Sequence, residues 1–124
     1  MARKVLAGLL WLYVLGVFVQ FFLAGIGLPE LGGEGMDAHE GFGYSALHLT
    51  PILFLIIAFF AKVSKRLLAL LFVFAVIAFV QPIWAAEFQG EFLASLHILG
   101  AAVILAMAHA LATMATRQMR GEVE

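Results

Sequence analysis

The chain has 124 residues, of which 65% are hydrophobic and 12% charged, with a formal net charge of −1. Its mean hydropathy of +1.08 excludes a water-soluble domain of this size, which could not hide so much apolar surface. The charge balance excludes a nucleic-acid partner, and the absence of cysteine excludes disulfides, thiolate metal sites and iron–sulfur clusters.

Four apolar runs follow in order and predict a single all-α transmembrane domain over residues 1–124, an up-down-up-down four-helix bundle. The first span is expected over about 5–28. Its apolar stretch is longer than the ~7–15 residues of a signal h-region and lacks a small-x-small cleavage site, so it reads as a retained span. Pro29 and the run Gly32-Gly33-Glu34-Gly35 break it. The second span is expected over 37–61, with Pro51 inside it, followed by a basic turn from Lys62 to Arg66. The third is expected over 67–86 with Pro82 near its end, and the fourth over 91–116. Each is close to the ~20 residues that cross a hydrocarbon core, and none alternates polar and apolar residues as a barrel strand does.

All seven cations, Arg3, Lys4, Lys62, Lys65, Arg66, Arg117 and Arg120, fall on one side of this arrangement. Glu30, Glu34, Asp37, Glu40, Glu87 and Glu91 fall on the other. The positive-inside rule places both termini and the basic turn in the cytoplasm, as expected of a cytoplasmic (inner) membrane protein.

Ionisable groups inside a bilayer are costly and mark function by default. All four histidines lie on the second and fourth spans: His39 and His48, then His97 and His109. Counted from the outer ends, His39 lies near the surface and His48 roughly 14 Å deeper, at ~1.5 Å per residue. By the same count from Glu91, His97 lies about 9 Å down, and His109 approaches the cytoplasmic half. Gln20, His48, Gln81 and His97 therefore form one polar layer in the outer leaflet, with His39 above it.

At about 100° per residue, His39 and His48 face nearly opposite ways, and His97 and His109 differ by about 120°. Two stacked haems need same-face histidines on each helix, so one bis-histidine haem b is the easier site. His97 anchors it, with Gly100 and Ala101 leaving room on its face. Its partner is His48 or His39, and depth favours His48. Such a six-coordinate iron suits electron transfer. Gln20, Gln81 or a carbonyl near Pro51 or Pro82 would accept the other ring N–H of each ligand.

Simpler roles compete. A histidine or glutamine in a span can be interhelical polar glue, which is the expected role of Gln20, Gln81 and His109. The Phe residues face lipid or pack, and Trp11, Tyr13 and Trp84 suit packing or interfacial roles. The acidic stretch from Glu30 to Glu40 lacks calcium-loop spacing, and Asp37, His39 and Glu40 do not complete a zinc site. No nucleophile motif surrounds Ser45, Ser64 or Ser95, and no carboxylate lies deep in a span as a proton-coupled exporter would need.

The segment Met36-Asp37-Ala38-His39-Glu40-Gly41-Phe42-Gly43-Tyr44 resembles the acid-x-x-His-Arg-x-x-Gly entry of haem A synthase and related four-helix haem-b membrane proteins. Leu96-His97 is similar to the start of their second haem-ligating helix. The chain also resembles a family of small bacterial four-span proteins of unknown function, through Gln20-Phe21-Phe22-Leu23-Ala24-Gly25, Ala38-His39 and Leu96-His97. The resemblance implies His39 with His97 as the haem ligands. Glu40 stands where that pattern has Arg, the outer-loop cysteine pair of the synthases is missing, and the chain has half of their helices, so it implies a haem site without synthase activity.

The leading expectation is thus a non-catalytic b-haem protein or subunit that passes electrons near the outer face, with lipid around it and quinone as a possible partner. The alternatives are a cofactor-free accessory subunit of a larger membrane complex or homo-oligomer, and a small quinone-binding or transport protein.

Overall fold

In the computed structural model, which describes residues 1–28, 35–87 and 95–122, helices form four spans. Helix α1 covers Ala2–Ile26. The second span, Met36–Ala61, consists of α2 (Met36–Phe42), a π-helical segment (Gly43–His48) and α3 (Thr50–Ala61). Helix α4 covers Lys65–Glu87 and α5 covers Leu96–Met119. All four spans are long and apolar enough to cross a bilayer, and the chain is an integral membrane four-helix bundle. Each of the four expected spans overlaps one of these helices. The Pro29 and Gly32–Gly33 break, Glu30 and Glu34 of the acidic stretch, and the expected start of the fourth span at Glu91 lie outside the described residues.

Helix α1 packs on α5 and α3, and α4 packs on α5 and α3. Consecutive spans are therefore neighbours around a square, and spans two and four stand across a diagonal. The core is lined by two matching stripes. Leu6, Leu10, Tyr13, Val14 and Val17 of α1 are buried, as are Leu67, Leu71, Phe74, Ala75 and Ala78 of α4. Each residue of the second set lies 61 positions after its counterpart in the first, as Gln81 lies after Gln20. Spans two and four match as well. His39 and Gly43 precede His97 and Ala101 by 58 residues, whereas Pro51, Phe54 and Ala58 precede Ala108, Leu111 and Ala115 by 57. The protein is thus two helical hairpins related by an approximate twofold axis along the bundle. The second span carries one residue more than the fourth, between Gly43 and Pro51.

That extra residue is accommodated by the π-helical segment, in which i→i+5 bonding widens the turn. The local chemistry favours widening there. Pro51 has no N–H for the Leu47 carbonyl, and Thr50 Oγ1 occupies the Ala46 carbonyl at 2.5 Å. Pro51 itself sits comfortably in the first turn of α3. The freed Leu47 carbonyl accepts a hydrogen bond from the Tyr13 hydroxyl of α1 at 3.3 Å. The Tyr13 ring lies edge-on to Phe54 and Phe74, with centroids 5.5 and 5.4 Å away, so one side chain joins three spans.

The basic end is tied by Arg3. Its guanidinium donates to the carbonyls of Ala61 at 3.2 Å, Lys62 at 2.9 Å and Gln118 at 3.3 Å. These are the carbonyl-rich ends of α3 and α5, where a cation also opposes the helix dipoles. Lys62 ends α3 in the left-handed conformation, at φ 49°. Ser64 Oγ then accepts from the Leu67 N–H to cap α4. Large apolar side chains, Phe22, Phe59, Phe60 and Ile98 among them, cover the outside, and no charged or polar residue is fully buried among the described ones. This surface is suited to lipid contact.

Tyr13→Phe keeps the ring contacts but strands a buried carbonyl acceptor. It is expected to lower stability by about 1–2 kcal/mol, read by denaturant unfolding of the purified protein in detergent. Unchanged stability would mean that Leu47 has another donor.

Candidate functional site

At the end of the bundle opposite Arg3, each hairpin closes with the same pair of hydrogen bonds. The Gln20 side-chain amide donates to the His39 carbonyl at 2.8 Å, and the Gln20 carbonyl accepts from His39 Nδ1 at 3.1 Å. In the second hairpin, the Gln81 amide donates to the His97 carbonyl at 2.5 Å, and the Gln81 carbonyl lies 3.4 Å from His97 Nδ1. A carbonyl oxygen only accepts, so Nδ1 carries the proton in both rings. In a neutral imidazole this leaves Nε2 with its lone pair.

Small residues make these clasps possible. A Cβ at Gly43 would lie 2.8 Å from Gln20 Nε2, and one at Gly100 would collide with Gln81 Oε1. The room at Gly100, expected for a macrocycle on the face of His97, is thus taken by the Gln81 amide, while Ala101 lines the adjoining space. The glutamines hold the rings through their backbone carbonyls rather than through side-chain oxygens.

The two clasped rings meet across the diagonal. The centroids of His39 and His97 are 6.2 Å apart, with ring planes at 78°. Both rings line two clefts on opposite sides of the bundle. One lies toward α4, with Gly43, Tyr44, Pro82 and Ala85 in its walls. The other lies toward α1, with Phe21, Ala24, Gly25 and Ala101. Among the described residues, no three His, Asp or Glu side chains converge, so no site for an ion held by protein side chains alone is formed there.

Depth placed Gln20, His48, Gln81 and His97 in one layer with His39 above it, and those four line one cavity that His39 does not. The ring that meets His97 is nevertheless that of His39. One expectation changes: His39 and His48 do not face opposite ways. Six residues at roughly 80° instead of 100° each remove about 120° of rotation, as i→i+5 bonding implies. His48 consequently turns inward. It stacks on Phe79 with centroids 4.9 Å apart and planes at 23°, meets Tyr44 edge-on, and lines a central cavity with His97. His109 is exposed, edge-on to Trp11 at 5.4 Å, away from the other three.

No protein-family model, curated protein or solved structure matches the chain.

Gln20→Leu and Gln81→Leu are each expected to cost about 1 kcal/mol, the usual worth of an interhelical hydrogen bond in a membrane protein. His109→Ala should cost less than either. The three variants are compared by unfolding in the same detergent, and a larger loss in His109→Ala would show that the clasps are not the main polar contacts of this end.

Proposed function

We propose that the protein binds one haem b between His39 and His97 and passes single electrons near the outer face of a bacterial cytoplasmic membrane. The observation that carries this reading is the pair of clasped imidazoles across the bundle diagonal. An imidazole–metal–imidazole stack needs ring centres roughly 6 Å apart, from two metal–nitrogen bonds of about 2 Å and about 1.1 Å from each nitrogen to its ring centre. The measured 6.2 Å fits that span. His39 and His97 would hold the haem, and the two clefts that both rings line would receive its macrocycle.

Haem iron with two imidazole ligands supplies one-electron transfer. The residues do the rest. Gln20 and Gln81 fix each ring by holding Nδ1–H, which keeps Nε2 available and raises its basicity as a ligand. Gly43 and Ala101 keep side chains out of the gap. Phe21, Tyr44 and Pro82 line the surrounding walls, limit water and so favour electron transfer over ligand exchange. Glu40 is exposed beside His39, on the far side from the basic end. The positive-inside rule puts that basic end, with both termini, in the cytoplasm and the histidine pair toward the outside. A lipid-soluble quinone or quinol, or a larger membrane complex, would be the electron partner.

A second reading has its own support. The clasps already satisfy Nδ1 of both histidines without any ligand, as a cofactor-free accessory subunit would require. The two readings divide on the spectrum. Purified protein supplied with haem is expected to show a sharp reduced α-band in the b-type region at one haem per chain. His97→Ala and His39→Ala should each abolish the six-coordinate low-spin form, whereas His48→Ala should keep it. A colourless wild-type protein after haem supply leaves the accessory-subunit reading. Loss in His48→Ala with retention in His39→Ala would assign the iron to His48.

A further inference from the structure

Directly beneath the histidine pair lies a small, partly open central cavity that His39 does not line. Its walls are mostly apolar, with Val17, Leu47, Ala78 and Ile104 among them. Two polar atoms are buried and have no hydrogen-bond partner: Gln20 Oε1 and His48 Nδ1. Both residues line this cavity. Buried polar atoms are seldom left unpaired, and here two residues that line one cavity each carry such an atom. The Gln20 amide nitrogen is already committed to His39, which fixes its oxygen as a pure acceptor. Whatever satisfies it must bring an O–H or N–H.

The cavity is also where the two hairpins stop matching. The extra residue of the second span, taken up by the π-helical segment, is what turns His48 toward it. Such segments often mark functional sites in helices. His48 is backed by the stacked ring of Phe79 and flanked by Tyr44, so its imidazole is held flat. The cavity shares Gln20, Gly43, Pro82 and His97 with the cleft toward α4, so the two adjoin between α2 and α4.

We infer that this cavity binds the ring of a membrane hydroquinone, one hydroxyl donating to Gln20 Oε1 and the other hydrogen-bonded to His48 Nδ1, with its apolar tail leaving between α2 and α4. The oxidised quinone has only acceptors and leaves Gln20 Oε1 unsatisfied, so the site selects the reduced form. This inference stands on the cavity and its two unpaired atoms, and does not require haem.

The test is anaerobic equilibrium binding of a short-chain alkyl hydroquinone to the purified protein in detergent, beside its quinone and its dimethyl ether. The hydroquinone is expected to bind about tenfold more tightly than either, the worth of one buried hydrogen bond with its desolvation. His48→Phe keeps the stack on Phe79 and should weaken the hydroquinone about tenfold. Ala78→Leu fills the cavity without touching a polar group and should abolish binding. His39→Ala removes the proposed iron ligand but no cavity wall and should leave hydroquinone binding intact, so the two sites fail separately. Equal affinity for hydroquinone and dimethyl ether, or no effect of both His48→Phe and Ala78→Leu, would mean that water satisfies the two atoms and would overturn the inference.

Discussion

An amide or imidazole that enters the hydrocarbon region must find its hydrogen-bond partners within the protein. The rest of this structure depends on how two glutamines and two histidines meet that requirement. Each glutamine gives its amide N–H to the histidine backbone, and the histidine aligns Nδ1 with the glutamine backbone. The exchange is closed within a hairpin, with Gln20 Oε1 alone left over in the first. It also dictates orientation. With Nδ1 committed, the only unassigned nitrogen on either ring is Nε2. Because consecutive spans are neighbours, the two histidine-bearing spans stand across the diagonal, and the clasped rings come to within 6.2 Å near the twofold axis. In the proposed function, this matching pair of imidazoles is what would hold one flat, symmetric metal macrocycle.

The approximate symmetry gives meaning to its one clear break. Where the fourth span runs on as an α-helix, the second carries an extra residue and a π-helical segment. Thr50, Pro51 and Tyr13 settle the carbonyls that this segment leaves over. His48 then faces the interior with an unpaired Nδ1. The common features of the hairpins build the paired imidazoles, and the difference between them builds the cavity below.

Much of this was legible in the sequence. Hydropathy located all four spans, because a bilayer demands length and apolarity more than any detailed pattern. Buried polar residues in a membrane protein are few, so Gln20, Gln81 and the histidines stood out at once. Their grouping was harder. Depth grouped His97 with His48, with which it shares a cavity, whereas the motif resemblance pointed to His39, whose ring meets that of His97. The facing of His48 was misjudged for a physical reason: uniform rotation of 100° per residue does not hold where a proline removes a donor and the helix widens. The repeat itself was present as the 61-residue spacing of Leu6, Leu10, Tyr13 and Gln20 with Leu67, Leu71, Phe74 and Gln81. It is weak as sequence identity and becomes plain once the buried positions are known.

The central claim is that two backbone carbonyls fix the tautomer of His39 and His97 and leave a bare Nε2 on each. Nitrogen-15 NMR of imidazole-labelled protein, without added haem and above the histidine pKa range, reads this directly. The account predicts that both residues hold the proton on Nδ1 with an unprotonated Nε2, and that Gln20→Leu disturbs His39 more than His97. Protons on Nε2 of His39 and His97 would contradict it, because the clasps could not then exist as described.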